Sequence, residues 1–410
     1  MQVLKRNGDV VSFDGEKIKA AVGKAMSRTD YEDDKLQDKV VRYVKKNIEE
    51  DIVSVDTVHK LVEDGIMNAK AFDVAREYVT YRKAHEPDIF RPRENYKPFE
   101  YPHFKQYMDA VHQAFWVVDE FNFTASIQEY HSELSENERQ VIQRTMLAIS
   151  QIEARFVKTF WGKLYDRLPK PEVADVGAAF SNNESIHATA YSQLLEYLGM
   201  NELFEDLDNI DCLRKRQEYL KRFVSPNDSS NKEFMRSVLL FSMFVENVSL
   251  FGQFLIMSCF DNYKNMLVGI SNVVQSSACD ESVHAMFGAE IINTIKEENP
   301  DWFTEALVQD THDACKVSMD AESEILDWIF EGGDLDFVSK EEVKDYLRWR
   351  FNKSMEMIGF PEVFEVQDKT KEKFQWFEIQ VNSTTNPDFF ARKNVNYTKV
   401  NKSFTEDDLF

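Results

Sequence analysis

Two short motifs carry most of the chemistry in this chain. In NNESIHATAY, residues 182–191, Glu184, His187 and Tyr191 stand three and four residues apart. On a helix of about 3.6 residues per turn they share one stripe. A second Glu-x-x-His lies in CDESVHAMF, as Glu281 and His284. Two more glutamates sit in apolar, helix-forming surroundings, Glu153 in LAISQIEARF and Glu246 in FSMFVENVSLF. One Glu from each of two helices plus Glu-x-x-His from each of two others is the ligand set of a dinuclear carboxylate site inside a helical bundle. Two adjacent divalent ions need bridging carboxylates to offset their charge, and each imidazole adds a nitrogen donor suited to iron or manganese. Buried without metal, four carboxylates would carry a heavy desolvation and repulsion cost. A single Glu-x-x-His among 72 acidic residues is most often a solvated helix face; two of them, in a chain with only 8 His, form a different pattern. Alone, Tyr191 would read as a core tyrosine; beside a metal pair its phenol is an oxidisable group one turn beyond a ligand.

Such ligands need long helices to aim them, and the remaining sequence supplies these. With 43% hydrophobic residues, 32 Phe, and only 13 Gly and 10 Pro in 410 residues, the composition favours a helix-rich globular protein with room for more than one domain. From about 105 to 378 the hydrophobic spacing is helical, broken at LPKPEV (168–173), SPNDSSN (225–231) and EGGD (331–334). Ahead of it, VLKRNGDVVSF reads as two short strands joined through Asn7-Gly8, followed by helical patterns at 15–28, 33–49, 54–67 and 71–85. The expected organisation is a compact domain over 1–90, a Pro- and aromatic-rich linker over 91–104, a helical domain over 105–378, and a polar tail over 379–410 that does not fold alone.

The formal net charge of −23 provides no basic field for coating nucleic acid. The charge is uneven. Residues 1–90 hold 16 basic against 18 acidic side chains and the remainder 33 against 54, so an anionic small ligand meets less repulsion at the N-terminal end. The four cysteines show no CxxC pair and read as reduced thiols. The segment MQVLKRNGDV lacks the apolar stretch of a signal peptide, and no uninterrupted apolar run approaches the roughly 20 residues of a membrane span. A cytoplasmic protein without membrane attachment is expected.

On these residues the chain resembles the small, radical-generating subunit of class I ribonucleotide reductase over 105–410. In that family a carboxylate ligand is followed by Glu-x-x-His with a tyrosine four residues later, then a Glu, then Asp-Glu-x-x-His. The matching positions are Glu153, Glu184, His187, Tyr191, Glu246, Asp280, Glu281 and His284. The resemblance implies a ferritin-like bundle and six metal ligands: Glu153, Glu184, His187, Glu246, Glu281 and His284. It also implies a tryptophan hydrogen-bonded to the Asp that orients the first ligand histidine, here Trp116 of QAFWVVDEF with Asp280. The family's first ligand is usually Asp, where this chain has Glu153, and variants of that kind include manganese/iron and dimanganese centres. Manganese and iron both stay open, with a lean toward two manganese ions, and the oxidising equivalent resides on Tyr191 or on the metals.

The family's C-terminal peptide docks into a large catalytic subunit, and FTEDDLF, with Phe404, Leu409 and Phe410 among acids, fits that role. Tyr397 matches the tail tyrosine that relays an electron and proton between subunits. The N-terminal unit resembles the ATP-cone, a nucleotide-sensing module. Lys5, Arg6 and Lys17 match its phosphate-binding positions, and His59 and Arg82 match positions near the nucleotide. No Walker-type GxxxxGK[ST] occurs, so hydrolysis is not implied. The resemblance implies a mainly α protein whose bundle supplies the oxidant for ribonucleotide reduction by a separate large subunit. ATP or dATP would act as allosteric effectors at the cone, on a homodimer that enters a higher oligomer with dATP. A stand-alone dinuclear-metal oxidase or monooxygenase, and a non-catalytic metal- or nucleotide-binding protein, are the rival readings.

Overall fold

The structure, a computed structural model, describes residues 1–4, 10–33, 35–48, 50–85, 87–93, 95–153, 157–224 and 230–382. It divides into two compact units, Met1–Asp88 and the chain from Ile89 onward, each with its own hydrophobic core.

The first unit pairs strand β1 (Gln2–Leu4) antiparallel with β2 (Val10–Ser12), so that Val3 lies opposite Val11. Four helices follow: α1 (Gly15–Met26), α2 (Leu36–Asn47), α3 (Val55–Asn68) and α4 (Phe72–His85). A third strand, β3 (Ile52–Ser54), runs parallel to β1 and was not expected from the sequence. Three residues are too few to show a period, and the partner strand lies some fifty residues earlier. Ser54 ends β3 and also caps α3, its side chain accepting from Thr57 N at 3.1 Å. Ile18, Val22, Leu36, Val40, Val44, Val62, Ile66 and Val74 recur at helical spacing and form the core.

Every regular element described in the second unit is helical. In order it comprises α5 (Lys105–Gln113), α6 (Thr124–Ser132), α7 (Glu136–Glu153), α8 (Val157–Gly162), α9 (Pro171–Tyr197), α10 (Asn201–Glu205) and α11 (Asp211–Val224). There follow α12 (Asn231–Leu240), a π-helical segment (Phe241–Ser249), α13 (Phe251–Lys264), α14 (Val268–Glu298), α15 (Glu305–Ile329), α16 (Lys340–Met357) and α17 (Asp368–Asn382). α9 packs against α7 and α14, and α14 packs against the π segment and α13. The run Asn231–Lys264 is long and apolar enough to cross a membrane by composition, with mean hydropathy 1.6, yet 94% of that window is buried inside the protein. Its apolar surface therefore faces neighbouring helices.

Residues 91–104, expected as a linker, belong instead to the second unit. Tyr101 and Phe104 are buried in its core together with Ile89. The backbone N–H groups of Glu100 and Tyr101 both donate to Glu172 Oε1, at 2.8 and 2.7 Å. Tyr96 donates to Asp175 at 2.7 Å, and Ile89 N to Glu298 at 2.9 Å. Polar groups that read as solvated in a Pro-rich stretch are thus tied to the start of α9 and the end of α14. The last helix, α17, also runs past the expected boundary at 378, to Asn382. Lys5, Arg6, the Asn7-Gly8 turn, Tyr397 and the FTEDDLF end lie outside the described residues.

Candidate metal centre

Four helical segments bring the six expected ligands to one place. Glu153 is the last residue of α7, Glu184 and His187 lie in the middle of α9, Glu246 in the π segment, and Glu281 and His284 in α14. All six are essentially fully buried. Each helix can carry them because its other inward positions are apolar. On α9, Val173, Val176, Phe180, Ala190, Tyr191 and Leu194 share the ligands' stripe, and Pro171 at the helix start provides a preset φ. Gly288, one turn beyond His284, lets the π segment approach α14, for a Cβ there would lie 2.0 Å from Ser242 Oγ. The wider π turn carries Glu246 inward along a run that is otherwise apolar.

The ligand atoms form two groups that share two members. Glu153, Glu184, His187 and Glu281 can converge on one ion and Glu184, Glu246, Glu281 and His284 on another, with the ligand atoms of each group within 4.8 Å of one another. The shared carboxylates each aim one oxygen at each histidine. Glu281 Oε1 lies 3.0 Å from His187 Nδ1, and its Oε2 lies 3.1 Å from His284 Nδ1. Glu184 Oε2 and Oε1 lie 3.6 and 3.1 Å from the same two nitrogens. Glu153 Oε2 approaches only His187, at 3.4 Å, and Glu246 Oε2 only His284, also at 3.4 Å. Two bridging carboxylates between two terminal ones is an arrangement for a metal pair.

The electrostatics agree with that reading. Both oxygens of Glu153 and of Glu184, Glu246 Oε2, Glu281 Oε1 and His187 Nδ1 are buried with no hydrogen-bond partner among the described residues. Orphaned buried acceptors in such number are costly unless a cation satisfies them. Burial, opposed by the His187 charge and reinforced by Glu281, pushes the Glu153 carboxyl up to about 8. Burial and the Glu281 charge also raise Glu246. Burial would raise Glu281 too, but the adjoining Glu246 carboxyl and the charge of His284 hold it below the ordinary carboxyl range. Burial opposes charging of both histidines, yet the surrounding carboxylates, Glu153 for His187 and Glu281 for His284, raise both well above 6.5. Protons thus sit where two divalent cations would replace them, and four carboxylates match the charge of two such ions. The donor set fits a dinuclear transition-metal centre.

Around this cluster, His187 Nε2 lies 3.1 Å from Asp280 Oδ2, and the same oxygen accepts from Trp116 Nε1 at 2.9 Å. The Trp116 ring stacks on His187, with centroids 5.7 Å apart and planes 18° from parallel. His187 can therefore direct Nδ1 to a metal while Nε2–H donates to Asp280. Trp116 is buried but flanked by exposed Phe115 and Val117, so the contact chain ends near the surface. Tyr191 is fully buried, its hydroxyl without a hydrogen-bond partner among the described residues. Burial and the nearby Glu153 charge raise its phenol well above the ordinary 10. One neighbour that sequence reasoning missed is Trp161 of α8, whose Nε1 donates to Glu246 Oε1 at 2.9 Å. Nothing in the spacing of KTFWGKLY points to it.

Of the expected nucleotide-binding residues, Lys17 stands exposed on α1. His59 and Arg82 lie on the α3/α4 seam, where His59 Nδ1 is 2.9 Å from the Tyr78 hydroxyl and Arg82 Nε is 3.0 Å from Glu63. A phosphate on Arg82 would compete with Glu63.

The family model of the ribonucleotide reductase small chain matches residues 93–372, more than half of the chain. The chain belongs to that family. The ATP cone domain model matches residues 1–87. A probable ribonucleoside-diphosphate reductase small subunit of Invertebrate iridescent virus 3 is 24% identical over 331 residues, covering 76% of this chain and 86% of the viral protein. The ribonucleoside-diphosphate reductase subunit beta of Chlamydia pneumoniae is 25% identical, covering 65% of this chain and 82% of its own. Among solved structures, the dimanganese(II)-NrdF of Streptococcus sanguinis superposes with a TM-score of 0.60 at 17% identity, over 68% of this chain and 96% of its own. The helical unit thus has the ferritin-like fold of ribonucleotide reductase small subunits, and the protein is such a subunit carrying an ATP-cone. A small subunit of this family works with a large one, and its carboxylate/histidine cluster is a dinuclear metal site.

Proposed function

We propose that Glu153, Glu184, His187, Glu246, Glu281 and His284 would hold two transition-metal ions, Glu184 and Glu281 being the carboxylates common to both groups, and that Trp116 and Asp280 conduct an electron from the large subunit toward them. The unbroken contact from Trp116 through Asp280 to His187 supports this most directly. When bound, the metal pair supplies a one-electron oxidant. The protein's own part is to hold it dry and give it one exit. The apolar walls exclude water; one Asp280 oxygen accepts from both the His187 Nε2–H and the indole N–H; Tyr191 places an oxidisable phenol one turn from a ligand. A glutamate at position 153 offers a longer reach than the aspartate usual in the family, and we favour two manganese ions over iron.

Under this reading the chain beyond residue 382, with Tyr397 and FTEDDLF, docks into the large subunit and completes the electron path. That subunit reduces ribonucleotides in the cytoplasm. The cone ends by residue 88, with Lys5, Arg6, Lys17, His59 and Arg82 around a bound ATP or dATP. Nucleotide binding then switches activity by converting a homodimer into a higher oligomer with dATP. The decisive experiment pairs Trp116→Phe with the large subunit. The variant is expected to retain two metals per chain and to lose reductase turnover; full turnover would refute the proposed path. For the cone, mass in solution is measured with ATP and with dATP. No change in assembly or in reductase activity would count against the proposed control.

A further inference from the structure

Glu246 is gripped at one end only. Its Oε1 accepts a hydrogen bond from Trp161 Nε1 at 2.9 Å, while Oε2, 3.4 Å from His284 Nδ1, has no hydrogen-bond partner among the described residues. Glu153, its counterpart on the His187 side, has both oxygens unpartnered. An indole has one N–H and no acceptor, so Trp161 can engage a carboxylate but cannot itself bind a cation through nitrogen.

The indole has little room to turn. Trp161 is fully buried and meets Phe160, Phe180, Phe241 and Phe287 at ring-centroid distances of 5.3, 5.2, 5.6 and 5.8 Å. Its edge also meets His284, at 5.9 Å. Its backbone is placed by a close approach to α9, because a Cβ on Gly177 would lie 2.8 Å from Trp161 O. The ring is therefore positioned by the same helix that carries Glu184 and His187, two turns further on.

We infer that Trp161 is a positioning residue that reserves Glu246 Oε1, so that Glu246 offers the metal pair one oxygen rather than two. The inference rests on the metal-centre reading above. A carboxylate bound through both oxygens would occupy two coordination positions at the ion beside His284; held by the indole, it occupies one and leaves a position for a small exogenous ligand. The two terminal carboxylates then differ in kind: among the described residues Glu153 has no hydrogen-bond partner, whereas Glu246 is tethered.

The test uses the full chain loaded with Mn(II) and azide as the exogenous probe. Trp161→Phe keeps an aromatic ring and removes only the N–H donor. The variant is expected to bind two Mn(II) per chain like the wild type, but azide roughly tenfold more weakly, the lower end of the effect of losing a hydrogen bond that orients a ligand. The electron paramagnetic resonance spectrum of its manganese pair is expected to change as well. Unchanged azide affinity together with an unchanged spectrum would overturn the inference. A crystal structure of the manganese-loaded wild type checks it without a variant: Glu246 bound through one oxygen with Trp161 on the other supports it, and Glu246 bound through both refutes it. Failure of the wild type itself to bind either manganese or iron would instead refute the metal-centre reading.

Discussion

The raised carboxyl of Glu153 makes the stability of the metal-free protein depend on pH in a specific direction. Its folded value is about 8 against an ordinary 4.5. Between those values the folded chain binds a proton that the unfolded chain has released. A raised folded pKa gives stability that is complete below 4.5 and is lost as pH climbs through 8. One full proton corresponds to about 1.4 kcal/mol per pH unit, so the loss across this window is on the order of 5 kcal/mol at most, because coupling to His187 and Glu281 divides the titration. Glu153→Gln keeps the shape and the neutral state while removing the titration. In that variant His187 also loses a carboxylate that raises its own pKa, which weakens a second contribution of the same sign.

The assay is urea unfolding of chelator-treated protein at pH 5, 6, 7 and 8, followed by tryptophan fluorescence. All six tryptophans lie at or beyond residue 116, so the signal reports the helical unit alone. The wild type is expected to lose stability relative to Glu153→Gln steadily from pH 5 to 8. Loading with metal should reverse the trend, since metal binding displaces those protons and tightens as pH rises. Parallel pH profiles for the two metal-free proteins would show that Glu153 is ionised without metal, and the account of the cluster as a proton-filled metal site would fail.

Two further outcomes follow from the surroundings of the cluster. His187 Nε2 is held by Asp280, whereas His284 Nε2 has no hydrogen-bond partner among the described residues. Mn(II) should therefore bind in two steps separated by about tenfold or more, and Asp280→Asn should narrow the gap; titration calorimetry showing one class of site in the wild type would contradict this. Gly288→Ala would place a Cβ 2.0 Å from Ser242 Oγ, so it should destabilise the helical unit by about 1–3 kcal/mol in the same unfolding assay and lower metal content by disturbing Glu246; a wild-type midpoint would show the contact to be relaxed.

Much of this centre was legible in the sequence because helical spacing alone puts Glu184 with His187 and Glu281 with His284, and scarce histidines made the coincidence informative. The partners of His187 were legible only through family resemblance, because Trp116 and Asp280 are 164 residues apart and meet through folding. Other features had no local signal. The π turn at Phe241–Ser249 occurs in a run whose apolar pattern reads as ordinary helix. Trp161 gained its place from the absent side chain at Gly177, sixteen residues away. The stretch 91–104 looked like a linker because its prolines and charges are what solvated chain contains; the buried carboxylate of Glu172 that binds its backbone sits some seventy residues later.

The two halves of the cluster share their bridging ligands and differ in nearly everything else. On the His187 side the imidazole is backed by a carboxylate and an indole that lead toward the surface, and the terminal glutamate has no hydrogen-bond partner among the described residues. On the other side His284 lies against Phe180, with ring centroids 4.0 Å apart, and its terminal glutamate is tied to a buried indole. A polar, hydrogen-bonded neighbour raises the donor strength of an imidazole and gives an electron a continuous route; an aromatic box does neither, but it holds geometry and keeps water out. The fold thus surrounds a nearly symmetric set of ligands with an asymmetric set of neighbours. Under the proposed function, that asymmetry puts electron entry on the side of His187 and leaves the side of His284 for the small ligand.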